Sequence, residues 1–260
     1  MRFANHLLTR QPLILVLITI VLFFVTAGML RWPLAAAVDS QATADNLAKL
    51  CAAVLLGLVL ARSKSCRNPG IAVPISQWRK GWWVPMLAMT PCLLPRFLTD
   101  DVEWAALQYS SRHAFDWFVW LSSSGFSEEL LFRGACFCIL YRAWGATRSG
   151  LQRAAVTSAL LFGALHLVSL INRDLTYVLY QVCFASLIGY AFAGLVAYTR
   201  SLWPAIVLHA GINGLSGIDN YFAGPGYVFQ PDTHLALIAV VGTFLVFGSI
   251  PGYWCLRRAP

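Results

Sequence analysis

Apolar residues recur along the chain in runs close to the length that crosses about 30 Å of hydrocarbon, each bounded by charges, Pro or Gly. This pattern predicts about eight helical spans, at 12–31, 47–61, 82–98, 115–141, 154–171, 177–198, 203–217 and 234–256. No stretch is left for a separate globular unit, so residues 1–260 read as one integral membrane domain, an all-α helical bundle. Pro85, Pro91 and Pro95 interrupt the third run, as in a kinked or re-entrant segment. The second run is short, which fits a tilted or partly interfacial helix. In the sixth, Ala185, Gly189, Ala193 and Ala197 repeat every four residues, a small-residue stripe suited to close internal packing.

Composition supports the pattern. Hydrophobic residues make up 58% of the chain and charged ones 12%, against roughly 45–50% and 25% in soluble domains. The distribution of charge tests the span count separately from hydropathy. Basic residues Arg2, Arg10, Arg62, Lys64, Arg67, Arg79, Lys80, Arg142, Arg148, Arg153, Arg200, Arg257 and Arg258 fall in one set of alternate loops, with no acid among them. Asp39, Asp45, Asp100, Asp101, Glu103, Asp116, Asp174, Asp219 and Asp232 fall in the other set or at its span ends. This segregation predicts an even number of spans with both termini cytoplasmic, and it explains the formal net charge of +8 without nucleic acid as a partner. The compact loops and short chain point to a bacterial inner membrane. Ala35, Ala36 and Ala37 follow the first run as they would a signal-peptide cleavage site, but the run exceeds the usual 7–15 residues and is expected to stay as an anchor. No outer-loop pair of cysteines offers a disulfide framework. Cys136 and Cys138 point about 200° apart on a helix, so they read as small buried hydrophobes rather than a metal pair.

Against this apolar background, Ser127-Glu128-Glu129-Leu130-Leu131-Phe132-Arg133 places three charges near the middle of the fourth span. The acids lie about 18–20 Å from either end of the span at 1.5 Å per residue, and charges at such depth must be paired or face a wet cavity. Glu129 and Arg133, four apart with the acid first, suit an intrahelical ion pair. Glu128 points about 100° away and is the carboxylate left for general acid or base work. At comparable depth the fifth span carries Phe162 and His166, and the seventh carries His209 and Asn213 one turn apart on one face. Gly163, Gly211 and Gly214 leave room for these helices to approach one another. Three helices thus bring ionisable groups toward one region of the bilayer.

Over about residues 120–217 the chain resembles the intramembrane glutamate peptidases that include the type II CAAX prenyl endopeptidases and the bacteriocin-processing or self-immunity proteins. The likeness rests on Glu-Glu-x-x-x-Arg at Glu128, Glu129 and Arg133, Phe-x-x-x-His at Phe162 and His166, and His-x-x-x-Asn at His209 and Asn213. It implies a catalytic core over 115–217 that hydrolyses a membrane-anchored or lipidated peptide without a metal cofactor. Glu128 and His166 would activate water, and His209 and Asn213 would hold the oxyanion. Glu129, Arg133 and Phe162 would support the site or position substrate. A base, a second proton handler and two donors are what amide hydrolysis requires.

Three other readings stay open at this point. Glu128, His166 and His209 match a catalytic zinc set by residue type, although the His-Glu-x-x-His helix is missing. Buried carboxylates and histidines also occur in proton-coupled transporters, though the chain shows no internal repeat. A binding or immunity protein would use the same site without cutting. The Gly- and Pro-rich segment 216–233 is a candidate cover over the site.

Overall fold

The computed structural model describes residue 8 and residues 10–62, 78–95, 107–222 and 234–259, all helix and connecting loop with no strand among them. The order is α1 Pro12–Ala35, α2 Gln41–Arg62, α3 Trp83–Met89, a long α4 over 111–144, α5 Arg148–Leu165, α6 Leu175–Thr199, α7 Trp203–Ser216, the short α8 Ile218–Phe222, and α9 over 234–258. The molecule is an all-α bundle, as the hydrophobic pattern predicts.

Five helical stretches are long and apolar enough to cross a bilayer: Pro12–Ala35, Gln41–Arg62, Arg148–Ile171, Leu175–Thr199 and Ala236–Arg258. The chain is an integral membrane protein. The other three predicted spans form helices that are shorter or carry charge. The third is a seven-residue helix followed by one 3₁₀ turn, Thr90–Leu93, because Pro91 removes a backbone donor where the helix would continue. The seventh runs over Trp203–Ser216, within one residue of its predicted bounds and about 21 Å long at 1.5 Å per residue. The fourth carries the internal charges, as predicted.

Helix α1 shows how the bundle meets its surroundings. It is apolar on every side, yet only Pro12, Val16, Ile20, Phe23 and Ala27 are buried, at spacings of three and four. Leu17, Val21, Leu22 and Met29 point outward, which is stable in lipid and not in water. Helix α6 is the most enclosed span and packs against both α5 and α9. Its small residues serve this internal contact, with Ala185, Gly189 and Ala193 buried.

Among the described residues, members of each predicted set of loops contact one another. In the basic set Arg148 Nη1 donates to the carbonyls of Leu256 (3.0 Å) and Ala259 (2.8 Å), and Arg79 reaches the Arg258 carbonyl. In the other, Arg31 pairs with Asp45, Arg112 lies 3.4 Å from Asp39, and Thr43 Oγ1 donates to Asp116 at 2.5 Å.

The cysteine reading needs one correction. Cys136 is buried and free, but Cys138 is disulfide-bonded.

Candidate active site

Helix α4 opens as a regular α-helix over Ser111–Ser122, capped by Ser110, whose side chain accepts from the His113 N–H. It then widens into π-helical turns over Ser123–Glu128 and Leu130–Phe137 before closing as α-helix over Cys138–Trp144. Such turns are uncommon and cluster at functional sites. The widened backbone is stabilised from outside, since Ser158 Oγ on α5 donates to the Phe132 carbonyl at 3.1 Å. Gly125 lets α7 lie against it: a Cβ there would sit 2.8 Å from Ala210 Cβ and 3.0 Å from the Ile206 carbonyl oxygen. Gly163 does the same for α5 against α6, where a Cβ would collide with Ser186 Oγ and come within 2.8 Å of the Val182 carbonyl.

These contacts bring the charges together. Arg133 Nη1 donates to Glu129 Oε1 at 2.8 Å, and both side chains are fully buried. The same Glu129 oxygen lies 2.7 Å from His209 Nδ1. A carboxylate paired with a guanidinium accepts, so Nδ1 carries the proton and the ring is fixed with Nε2 facing Glu128, whose Oε2 is 3.7 Å away. The predicted ion pair is therefore a chain, Arg133 to Glu129 to His209. Arg133 also lies over the rings of Phe162 (4.5 Å) and Phe192 (5.5 Å), which hold a buried cation in place.

Phe162 is more than filler. Its ring meets Phe132, His166 and His209 edge-on at 5.0, 5.1 and 5.9 Å. His166 sits where α5 tightens into a 3₁₀ turn, inside the apolar stretch Arg148–Ile171 as expected. Its Nδ1 is 3.0 Å from the Phe162 carbonyl, which can only accept, so Nδ1 is again the protonated nitrogen and Nε2 is left free.

Glu128, unlike Glu129, is open: its side chain is 32% exposed. It lines a cavity of about 350 Å³ together with His166, His209 and Asn213. Phe162 lines the same cavity, while Glu129 and Arg133 stand behind its wall. The 3₁₀ turn after α3 contributes Cys92 and Leu93 to the lining. The sequence reading missed the α6 wall, where Tyr177, Gln181, Phe184, Ala185 and Ile188 follow a helical stripe. Two polar residues four apart in an apolar span were the available signal. Of the proposed cover, residues 223–233 lie outside the described residues; Gly217, just before α8, lines the cavity.

Among the described residues no group of three His, Cys, Asp or Glu side chains is placed to hold a metal ion.

A carboxylate, two imidazoles and an amide thus line one cavity in a membrane protein. Residues 110–215 match the family model described as type II CAAX prenyl endopeptidase Rce1-like. The matched segment is similar to that family and holds every residue of the three motifs. No curated protein and no solved structure matches the chain significantly.

Proposed function

We propose that the chain is a glutamate-type intramembrane endopeptidase that cuts a membrane-anchored or lipidated protein, with Glu128 and His166 activating water. The observation that carries this reading is the meeting of Glu128, His166, His209 and Asn213, from three helices, on one cavity. Glu128 is suited to be the base because Arg133 pairs with Glu129 and not with it, and because it is the carboxylate with access to water. His166 presents a free Nε2 as the second proton handler.

His209 and Asn213, one turn apart on α7, serve as oxyanion donors. To donate from Nε2, His209 must carry both ring protons. In that state Arg133, Glu129, Glu128 and His209 sum to zero charge, the arrangement a low-dielectric site tolerates best. The cavity has apolar walls from Phe184, Ile188, Leu237, Val240 and Phe244, which suit a lipid chain or apolar side chains. The substrate class is that in the matched family's description, a prenylated C-terminal box, with leader or sorting peptides as the other candidates.

The test is cleavage in proteoliposomes of a peptide panel that includes a farnesylated Cys-Val-Ile-Met terminus and unlipidated single-span peptides. Wild type, Glu128→Gln and His166→Ala are compared with and without a strong chelator. Cleavage by wild type only, indifferent to chelator, is expected. Undiminished cleavage by Glu128→Gln defeats the mechanism, and chelator-sensitive cleavage defeats the metal-free reading.

A further inference from the structure

Gln181 lies on α6, away from all three motifs, and its Oε1 is buried without a hydrogen-bond partner among the described residues. It lines the same cavity as Glu128 and His166. An unpaired buried carbonyl is costly, so an amide kept in this state points to a partner that arrives with a ligand.

The α5–α6 hairpin fixes its level. Gly163 packs against Val182 and Ser186, and the two helices run antiparallel, joined by residues 166–174. His166, one turn beyond Gly163 toward that connection, is therefore level with the turn of α6 that holds Gln181. Deeper along the same α6 stripe the lining turns apolar at Phe184, Ala185 and Ile188. The acid, imidazole and amide groups of the motifs occupy α4, α5 and α7, which leaves α6 as the facing wall.

A primary amide has one acceptor and two donors, the complement of a peptide group's N–H and C=O. We infer that Gln181 is a substrate-positioning residue that clamps a main-chain peptide group next to the scissile bond, with α6 as the wall along which the substrate lies. The inference rests on the peptidase reading above and assigns it a residue outside the motifs. It is indifferent to whether the substrate is lipidated, because the group recognised is the backbone.

Two measurements test it on the full-length protein in proteoliposomes. In the first, Gln181→Met, which keeps length and removes both hydrogen-bonding functions, and Gln181→Glu, which keeps the acceptor, are compared with wild type on the farnesylated Cys-Val-Ile-Met peptide. The same peptide is also titrated onto the cleavage-inactive Glu128→Gln protein with and without Gln181→Met. Loss of one or two neutral hydrogen bonds corresponds to a fall of about tenfold to a hundredfold in kcat/KM and a similar rise in Kd. Gln181→Glu should recover part of the loss.

In the second, wild type is given analogues in which each backbone N–H flanking the scissile bond is replaced in turn by an ester oxygen. One analogue should lose a comparable factor with wild type and nothing further with Gln181→Met, and this arm needs no variant to be well folded for the wild-type loss to be read. Equal KM, Kd and kcat in wild type and Gln181→Met overturn the inference and leave the peptidase standing. So does a variant that only melts earlier, since that marks a structural amide. If wild type neither binds nor cuts any peptide of the panel, the peptidase reading falls and the role of Gln181 falls with it.

Discussion

Arg133→Met isolates what the buried chain of charges contributes. Arg133 and Glu129 are both fully buried, and the guanidinium's Nη1 is 2.8 Å from the carboxylate. Removing one partner strands the other, at a cost of about 3–5 kcal/mol. Glu129 keeps His209 at 2.7 Å, which softens the loss toward the lower figure. Glu129→Gln strands Arg133 instead, with only the Phe162 and Phe192 rings beside it, and should sit at the upper one. The double variant Glu129→Gln/Arg133→Met leaves no isolated charge at this point, so its loss should be smaller than either single loss, a coupling of roughly 2–4 kcal/mol. Unfolding in mixed micelles, followed by tryptophan fluorescence from the 10 Trp residues, reads these differences. Activity should not recover in the double variant, because the Glu129→Gln amide still accepts from His209 but no longer supplies the charge that supports its doubly protonated form. A decrease of roughly 10²-fold or more is expected there. Wild-type stability in Arg133→Met, or wild-type turnover in the stable double variant, would refute the relay.

Other outcomes follow from the same geometry. Asn213→Leu should lower kcat roughly 10²-fold with little change in KM, as expected for a donor that acts on the transition state, and steady-state kinetics separate the two. Gly125→Val should force α7 off α4, since a Cβ there already meets Ala210 Cβ at 2.8 Å; a cost of about 1–3 kcal/mol is expected, with partial rescue by Ala210→Gly read in melting temperature. Leu17→Arg places a charge on the lipid-facing side of α1 and should weaken insertion by about 2.5–3.5 kcal/mol, measurable as the inserted fraction in a membrane translation assay.

Hydropathy made α1, α2, α5, α6 and α9 legible because each is an apolar stretch that must satisfy its backbone internally in lipid. On α7 its bounds fall within one residue of the helix, and on α3 the prolines already marked a kinked or re-entrant segment, which Pro91 ends as a helix at Met89. Ionisable residues in apolar spans exposed the candidate site, since each is expensive without a purpose. Their pairing was less legible. Spacing within one helix revealed Glu129 with Arg133, whereas His209 and Glu129 are 80 positions apart and meet only because Gly125 lets α7 close on α4. Gln181 was overlooked because one amide in an apolar helix reads as glue until its empty acceptor and the cavity beside it are seen.

Adjacent carboxylates with opposite surroundings give the site its logic. Glu128 and Glu129 share a chain position, a membrane depth and a residue type, so no property of the amino acids distinguishes them. The helix phase does. Glu129 turns into the bundle, where Arg133 and His209 occupy one of its oxygens, and its charge is spent on holding an imidazole. Glu128 turns to the cavity, half-buried and 3.7 Å from that imidazole, with its charge still available for a proton. Glutamine at the two positions should therefore separate scaffold from chemistry. Glu128→Gln leaves the buried Arg133–Glu129 pair intact, so it should melt close to wild type while cleavage stops. Glu129→Gln should melt early as well as lose activity. Equal melting losses at both positions would mean that Glu128 is also a structural charge, and the assignment of the base would have to move to His166.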